Sequence, residues 1–283
     1  AHVKLPPRPA PAGEANPQAG TLHELRTPLA ASTSAASALA ATENSSAAQR
    51  RELIGEIQEA NTRLNRVVGN LLDVARLESG QVRPNLDWHD ARDLVQTTLR
   101  ELQRELARNP VKLEMPAPPL LVRLDFSLMQ HALANLLLNA ANHTPTGTAI
   151  EVSVRQTGSA GFSPLQREPV TEASKATSTS SSTSLVKRPE GRAPGDSDAP
   201  PELLISVADR GPGISPELLP RIFDKFFRAP NAPTGGSGLG LTIVKGFVEA
   251  HGGTIDADNR PGGGAVFRIR LPQPEKPPTV EPG

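Results

Sequence analysis

His23, Glu24 and Thr27 lie close together in the stretch His23-Glu24-Leu25-Arg26-Thr27-Pro28-Leu29. On a helix this places an imidazole, a carboxylate and a hydroxyl within about two turns. Imidazole is a good nucleophile at neutral pH, because an ordinary histidine is then mostly uncharged. A neighbouring carboxylate can hold its tautomer or accept its proton. His23 and Thr27 are four residues apart and share a helix face. Glu24 does not share that face and must reach round. Pro28 has no N–H to offer the Glu24 carbonyl and should bend the helix beside the histidine. Taken alone, the same residues also read as a polar helix start with a surface histidine.

Three further groups suit a nucleotide. Asp209 ends the apolar run Leu203-Leu204-Ile205-Ser206-Val207-Ala208 and precedes Arg210-Gly211-Pro212-Gly213-Ile214. A carboxylate at a strand end, over backbone bare of side chains, can accept a hydrogen bond from an exocyclic amine such as that of adenine. The competing reading is a glycine turn. Gly235-Gly236-Ser237-Gly238-Leu239-Gly240 runs directly into Leu241-Thr242-Ile243-Val244, with Leu241, Val244 and Val248 at helical spacing. A glycine loop feeding a helix start offers backbone N–H groups and a positive dipole end to phosphate. The competing reading is a flexible linker. The chain contains neither a G-x-x-x-x-G-K-[ST] loop nor a dinucleotide fingerprint between a strand and a helix. Asn135 and Asn139 lie four apart on the apolar segment Phe126 to His143, so their amides share a face while Leu133, Leu136, Leu137 and Ala140 turn to the core. Paired amides can ligate a hard cation through oxygen, or simply face solvent.

The elements that must position these groups follow from the pattern. Residues 1–20 are rich in proline, alanine and glycine and read as a disordered linker. A first, weakly specified helix runs from Thr21, a possible N-cap, to about Thr42, and Glu43 to Ser46 make a turn. A second runs from Ala47 to about Ser79. Its Leu53, Ile57, Ala60, Leu64, Val67, Leu71 and Val74 recur in steps of four and three, and Ile54, Val68 and Leu72 widen the stripe. That period belongs to a bundle seam and calls for a partner. Residues 21–83 therefore read as a helical hairpin that dimerises into a four-helix bundle.

Asp90 can cap a helix striped by Leu94, Val95, Leu99, Leu102 and Leu106. Strands are expected at Val111–Met115, Leu120–Leu124, Ala149–Val154, from Leu203, at Thr254–Ala257 and at Ala265–Leu271. Gly252 and Gly253 should end the glycine helix, and His251 reads as a helix-end residue rather than a catalyst. Residues 156–201, with Thr177 to Ser184 almost all serine and threonine, read as a disordered insertion. Residues 84–155 and 202–272 then form an α/β sandwich, and 273–283 a disordered tail. The fold class is α plus α/β, in several domains.

Bulk properties narrow the function. Thirty basic and thirty acidic residues balance, which argues against a nucleic-acid partner. There is no cysteine, so disulfides, thiol catalysis and cysteine-ligated zinc are excluded, as fits a reducing compartment. Tyrosine is absent and aromatics are few, so the cores must be aliphatic. No apolar run approaches the roughly 18–20 residues of a membrane span, and no signal-peptide pattern appears. The expectation is the cytoplasmic end of something longer, touching the membrane only through segments outside this chain.

All four chemical groups in this order resemble the sensor histidine kinases of two-component signalling. His23 to Leu29 is similar to the phosphoacceptor box, Asn135 to Ala140 to the N box, and Asp209 to Gly213 to the first glycine box. Phe223-Asp224-Lys225-Phe226-Phe227-Arg228 resembles the F box, and Gly236 to Leu241 the second glycine box. Leu71 to Gly80, Ile222 to Phe226 and Asn259-Arg260-Pro261-Gly262-Gly263-Gly264 resemble the Kdp-type, potassium-transport sensor kinases within that family.

The resemblance implies a Bergerat-type ATP-binding domain after the hairpin, ATP and Mg²⁺ as cofactors, a homodimer, and a response-regulator receiver domain as partner. It implies autophosphorylation of His23 with Glu24 as base, Thr27 serving a phosphatase step, and Asn139 as the Mg²⁺ ligand. Asn135, Asn142, His143, Asp209, Gly211, Gly213, Lys225, Phe226, Arg228, Gly236, Ser237, Gly238, Leu239, Gly240 and Leu241 would surround the nucleotide, with Asp209 reading adenine. The chain departs from the pattern at Asn142, where a lysine is common, and at His143, where an aromatic ring is common. Pro17 and Gly20 also stand close before the histidine. The alternatives are a catalytically weakened dimerisation or phosphatase module, and an ATPase of the gyrase and chaperone type.

Overall fold

The computed structural model describes residues 17–41, 46–157, 201–229 and 236–274, and of residues 17–24 the backbone alone. The expected insertion from 158 to 200, the leader to residue 16 and the tail from 275 lie outside the described residues.

Two long helices form the stalk. α1 spans Pro17–Ala41 and α2 spans Ala47–Glu78. α1 starts four residues before Thr21, so Thr21 lies inside the helix and is not its cap. Proline is tolerated at a helix start, where its missing N–H would have no partner anyway. The helix assignment continues through Pro28, which is buried. α2 begins with a capping box: the Ser46 hydroxyl accepts from the Gln49 N–H, and the Gln49 side chain accepts from the Ser46 N–H. Such a cap contributes about 1 kcal/mol. Ala60, Val67 and Val74 of the heptad stripe are buried, whereas Ile54, Val68 and Leu72 stay 43–55% exposed.

The second body is a five-stranded mixed sheet with helices against it. β1 (Asp87–Asp90) leads into α3 (Ala91–Glu101), where the Asp90 carboxylate caps the Arg92 N–H. α3 ends at Glu101; Leu102 and Leu106 reach the core from the turns that follow. β2 is Val111–Glu114, β3 Leu121–Leu124 and α4 Phe126–His143, the last capped by Asp125. β4 (Ile150–Thr157), β5 (Glu202–Ala208), α5 (Gly240–Ala250), β6 (Thr254–Asn259) and β7 (Ala265–Pro272) complete it. The strand order is β2-β4-β5-β7-β6, with β2 and β4 parallel and the other pairs antiparallel.

β1 and β3 form a separate two-stranded ribbon. β1 is not legible from Asp87-Trp88-His89-Asp90, which has no alternation of apolar and polar residues. β4 extends through Gln156 and Thr157, which the sequence groups with the insertion, because they pair with Leu203 and Glu202. Gln273, expected in the tail, is buried; its amide oxygen accepts from the Arg123 N–H at 2.7 Å.

The core is aliphatic. Leu133, Leu136, Leu137 and Ala140 of α4 are at most 1% exposed and pack with Leu94, Ile150, Leu203, Ile205, Ile243 and Ile269. α5 ends in a Schellman motif: Gly252, at φ +73°, donates to Glu249, and Gly253 donates to Val248. His251 joins this end to α4. Its Nε2 accepts from the Asp125 N–H at 3.0 Å, so its Nδ1 carries the proton and donates to the Phe247 carbonyl at 2.7 Å.

Candidate functional site

Asp209 closes β5 and is 4% exposed. Its Oδ1 accepts from the Gly211 N–H at 2.7 Å and the Ala265 N–H at 3.2 Å. Among the described residues the hydrogen bonds to this carboxylate all go to Oδ1. Oδ2 keeps its acceptor capacity for a ligand donor. The loop beyond it lies on the C-terminal end of α4. A Cβ at Gly211 would collide with the His143 carbonyl oxygen, so only glycine permits that approach.

The N box faces the second glycine box. Asn135 is buried; its amide nitrogen donates to the His131 carbonyl at 3.1 Å, and its oxygen lies 3.2 Å from where a Cβ of Gly240 would sit. Asn135 is thus a packing residue against the first turn of α5. Asn139, one turn on, is half-buried and Asn142 exposed, so the two amides of the box do different work. His143 is half-buried. The first turn of α5 has no side-chain cap at Leu239, although the Ser237 hydroxyl accepts from the Leu239 N–H at 3.3 Å. The N–H groups of a first helical turn have no partner within the helix, which is what an anion site uses.

The F box is tied to the same loop. Phe226 takes φ +62°, and it alone among the described non-glycine residues has a positive φ. Its N–H donates to the Gly238 carbonyl at 3.1 Å, and a Cβ at Gly238 would stand 2.6 Å from the Phe226 carbonyl carbon. The Thr242 hydroxyl donates to the Phe223 carbonyl at 3.0 Å. Lys225 is ion-paired with Glu78 of α2, and Arg228 is exposed. Arg221 rather than Lys225 stacks on an aromatic ring, 5.0 Å from the centre of Phe227.

Four residues of the site make contacts that the sequence motifs do not announce. Asn259 bonds both ways to one backbone unit: its oxygen accepts from the Ile214 N–H at 2.7 Å and its nitrogen donates to the Ile214 carbonyl at 2.6 Å. Arg260 donates to Glu151 at 2.8 Å and to the Asp209 carbonyl at 3.4 Å. Arg210 pairs with the other oxygen of Glu151 at 3.1 Å. Partial burial alone would raise the Glu151 pKa, but the hydrogen bonds and charges of Arg260 and Arg210 together outweigh it and hold the carboxyl below its usual range. Only the glycine-rich Asn259-to-Gly264 turn hints at this from sequence.

Thr27 is exposed on α1, and the backbone of His23 and Glu24 lies in the same helix. The His23 and Glu24 side chains lie outside the described residues. The lower end of α2 is docked on the α/β body. Leu77 covers Gly246 of α5, Glu78 pairs with Lys225, and Asp73 bonds to His131 Nδ1 at 3.2 Å. A cleft of about 620 Å³ opens beside this joint, lined by Leu77, Glu78, Phe223, Lys225 and Lys245. It lies away from Asp209 and Asn139 and is a product of the docking.

The residues present fit a nucleotide with Mg²⁺. Gly211 and Gly240 let the two glycine loops pack closely on α4, and beside them the Asp209 carboxylate is oriented through Oδ1 by two N–H groups. Among the described residues no cluster of three or more His, Cys, Asp or Glu could hold a metal by itself. A hard cation here would have the Asn139 amide oxygen and phosphate oxygens, a donor set that suits Mg²⁺.

A helical hairpin followed by a mixed α/β sandwich with glycine loops around an aspartate and an asparagine helix defines a phosphotransfer stalk joined to an ATPase domain. Residues 18–80 match the "His Kinase A (phospho-acceptor) domain" model. Residues 167–275 match the "Histidine kinase-, DNA gyrase B-, and HSP90-like ATPase" model. Together the two matches span more than half of the chain. The chain is 31% identical over 256 residues to the sensor protein KdpD of Escherichia coli K12, covering 90% of this chain and 24% of that protein. It is 31% identical over 258 residues to the sensor-like histidine kinase SenX3 of Mycobacterium tuberculosis H37Rv, covering 90% of this chain and 52% of that one. The Acinetobacter baumannii histidine kinase AdeS shares the fold at a TM-score of 0.55 and 20% identity, over 89% of this chain and 98% of that structure. The chain belongs to the sensor histidine kinases of two-component signalling and resembles the Kdp-type members. It spans a quarter to a half of the length of these curated relatives. The ATPase match starts after Asn135 and Asn139, yet the pairing of β4 with β5 puts their helix in the same domain. Among the described residues no helix is long and apolar enough to cross a membrane.

Proposed function

We propose that this chain is the kinase core of a sensor protein and transfers the γ-phosphoryl group of ATP to its own His23. A neutral imidazole nitrogen attacks the γ-phosphorus in line. The P–N bond forms as the bond to the bridging oxygen breaks, and ADP leaves. Glu24 takes the proton from the other ring nitrogen. Asp209 accepts from the adenine amine, and His143 stacks at the base. Gly236, Ser237, Gly238, Leu239, Gly240 and Leu241 present the phosphates to the first turn of α5. Asn139 holds Mg²⁺, which neutralises phosphate charge. Arg228 and Lys225 reach phosphate oxygens, Lys225 after leaving Glu78.

The carrying observation is the convergence of both glycine boxes on α4: Gly211 against the His143 carbonyl, with its N–H on Asp209, and Gly240 against Asn135. The exposed stripe of Ile54, Val68 and Leu72, with Leu29 of α1, supports a homodimer through the hairpin. Phosphohistidine then passes its group to an aspartate on a response-regulator receiver domain, and Thr27, one turn from His23, supports a phosphatase step at the same place. The resemblance to the Kdp-type kinases supports a core on the cytoplasmic side of a bacterial inner membrane and potassium supply as the stimulus class; the names of the relatives support a sensor.

The test is incubation of the full chain with γ-labelled ATP. Label that survives alkali, is lost in acid and is absent from His23→Gln supports the reading. Label persisting on His23→Gln removes the acceptor assignment. An unlabelled but dimeric wild type favours a weakened module.

A further inference from the structure

The turn between β6 and β7 grips both ends of the Asp209 loop. Asn259 and Ala265 are cross-strand partners. Ala265 accepts from the Asp209 N–H at 2.9 Å and donates to the Asp209 carboxylate at 3.2 Å. Its partner Asn259 takes the other end, with two hydrogen bonds to the backbone of Ile214. Between these anchors lies Gly211, whose N–H is the second donor to Asp209 Oδ1, and Gly213, at φ +78°. A Cβ at Gly213 would stand 2.8 Å from Asn259 Oδ1. The turn reaches this position because Gly264, at φ +94°, lies against the Asp209 carbonyl with no room for a side chain.

One carboxylate oxygen is therefore oriented by two N–H groups, one on rigid β7 and one in a loop. Ile214, three residues beyond the loop donor, is the point at which Asn259 fixes the far end of that loop. Asn259 is suited to this because a carboxamide offers one donor and one acceptor side by side, as the C=O and N–H of a single residue require. A carboxylate in its place satisfies one side only.

We infer that Asn259 is a positioning residue for base selectivity: by fixing Ile214 it sets the aim of Asp209 and hence the preference for a purine bearing a 6-amino group. The inference rests on the proposed reading of Asp209 as the adenine contact, and it assigns to the β6–β7 turn a role in choosing the nucleotide.

The test compares binding of ATP and of purine riboside triphosphate, which lacks the exocyclic amine, to the full chain by calorimetry. Asp209→Asn first checks the underlying reading: it should bring the two dissociation constants together. Asn259→Ala should weaken ATP about fivefold, the size of one net hydrogen bond, and leave purine riboside triphosphate within about twofold. Asn259→Asp keeps the acceptor toward the Ile214 N–H and loses the donor. It should narrow the ratio by a smaller factor, and it serves if the alanine variant does not fold. A purely structural Asn259 would weaken both nucleotides alike and leave their ratio unchanged, which overturns the inference. An unchanged ratio in Asp209→Asn overturns it at its root, together with the adenine reading. A ratio lost in Asp209→Asn but kept in both Asn259 variants overturns the inference alone.

Discussion

Leu77 at the end of the stalk lies directly over Gly246 of α5; a Cβ on Gly246 would stand 2.5 and 2.7 Å from its two methyl carbons. These are the far atoms of a flexible side chain, so a single methyl can be met by rotation of Leu77, while a larger group cannot. Gly246→Ala should therefore keep the docked arrangement and gain about 1 kcal/mol of helix propensity. Gly246→Leu should push the stalk off the α/β body. Spin labels on Glu52→Cys and Lys112→Cys, in a chain with no cysteine of its own, would report this: an unchanged distance distribution for the alanine variant, a broadened one for the leucine variant. The neighbouring Glu78–Lys225 pair is about half exposed on each side and contributes only about 0.2–1 kcal/mol, so Leu77 dominates the joint.

The exposed apolar stripe of the hairpin gives a second expectation. Leu72 is 55% exposed and shares its face with Ile54 and Val68. A buried leucine contributes about 1.5–3 kcal/mol, and a symmetric dimer counts it twice. With about half of each side chain still to bury, Leu72→Ser should weaken dimerisation by about ten- to a hundredfold. Sedimentation velocity over a concentration series reads the shift, and an unchanged dimer would place the interface elsewhere.

Two glycines of the same loop should respond oppositely. A Cβ at Gly236 meets nothing within 4 Å, so Gly236→Ala should leave ATP affinity within about twofold. Gly238 has φ +64°, and a Cβ there would stand 2.6–2.7 Å from backbone atoms of Phe226 and Phe227, which cannot rotate away. Gly238→Ala combines roughly 1–2 kcal/mol of left-handed strain with that collision and should cost at least about tenfold in ATP affinity. Equilibrium binding of a labelled nucleotide distinguishes the two, and equal losses would refute the contact geometry.

Glu151 predicts a pH dependence. Its folded pKa is below its unfolded value, so the stabilisation is present above the unfolded pKa of about 4.3 and is lost as pH falls through the folded one. Glu151→Gln should be less stable than wild type at pH 7, by under about 1 kcal/mol because the side chain is a third exposed. The gap should close below about pH 4. Urea unfolding at a series of pH values measures it; a gap that widens in acid would mean that the pair does not act as drawn.

The outline of this chain was legible because its signals are local. The α2 stripe, Asp90 at a helix start, the glycines after α5 and the five boxes each occupy a few consecutive residues or a fixed helical period. Ser46, read as part of a turn, became a capping box only when Gln49 was seen to answer it. The boundaries moved where packing intervened: α1 gained a turn before Thr21, and Gln156, Thr157 and Gln273 joined the sheet or its edge.

By itself, the sequence determined that a histidine rides on a heptad-patterned hairpin and that an aspartate, an asparagine helix and glycine loops follow it. Tertiary structure alone decided that Asn135 packs while Asn139 remains available, and that Lys225 is engaged by Glu78. It also decided that Glu151 sits between Arg210 and Arg260, and that Asn259 holds Ile214. These last contacts join residues 45 to 147 positions apart, through single side chains with no repeat. Periodicity cannot announce such pairs, because their partners become neighbours only once the sheet has set its register and the helices have packed.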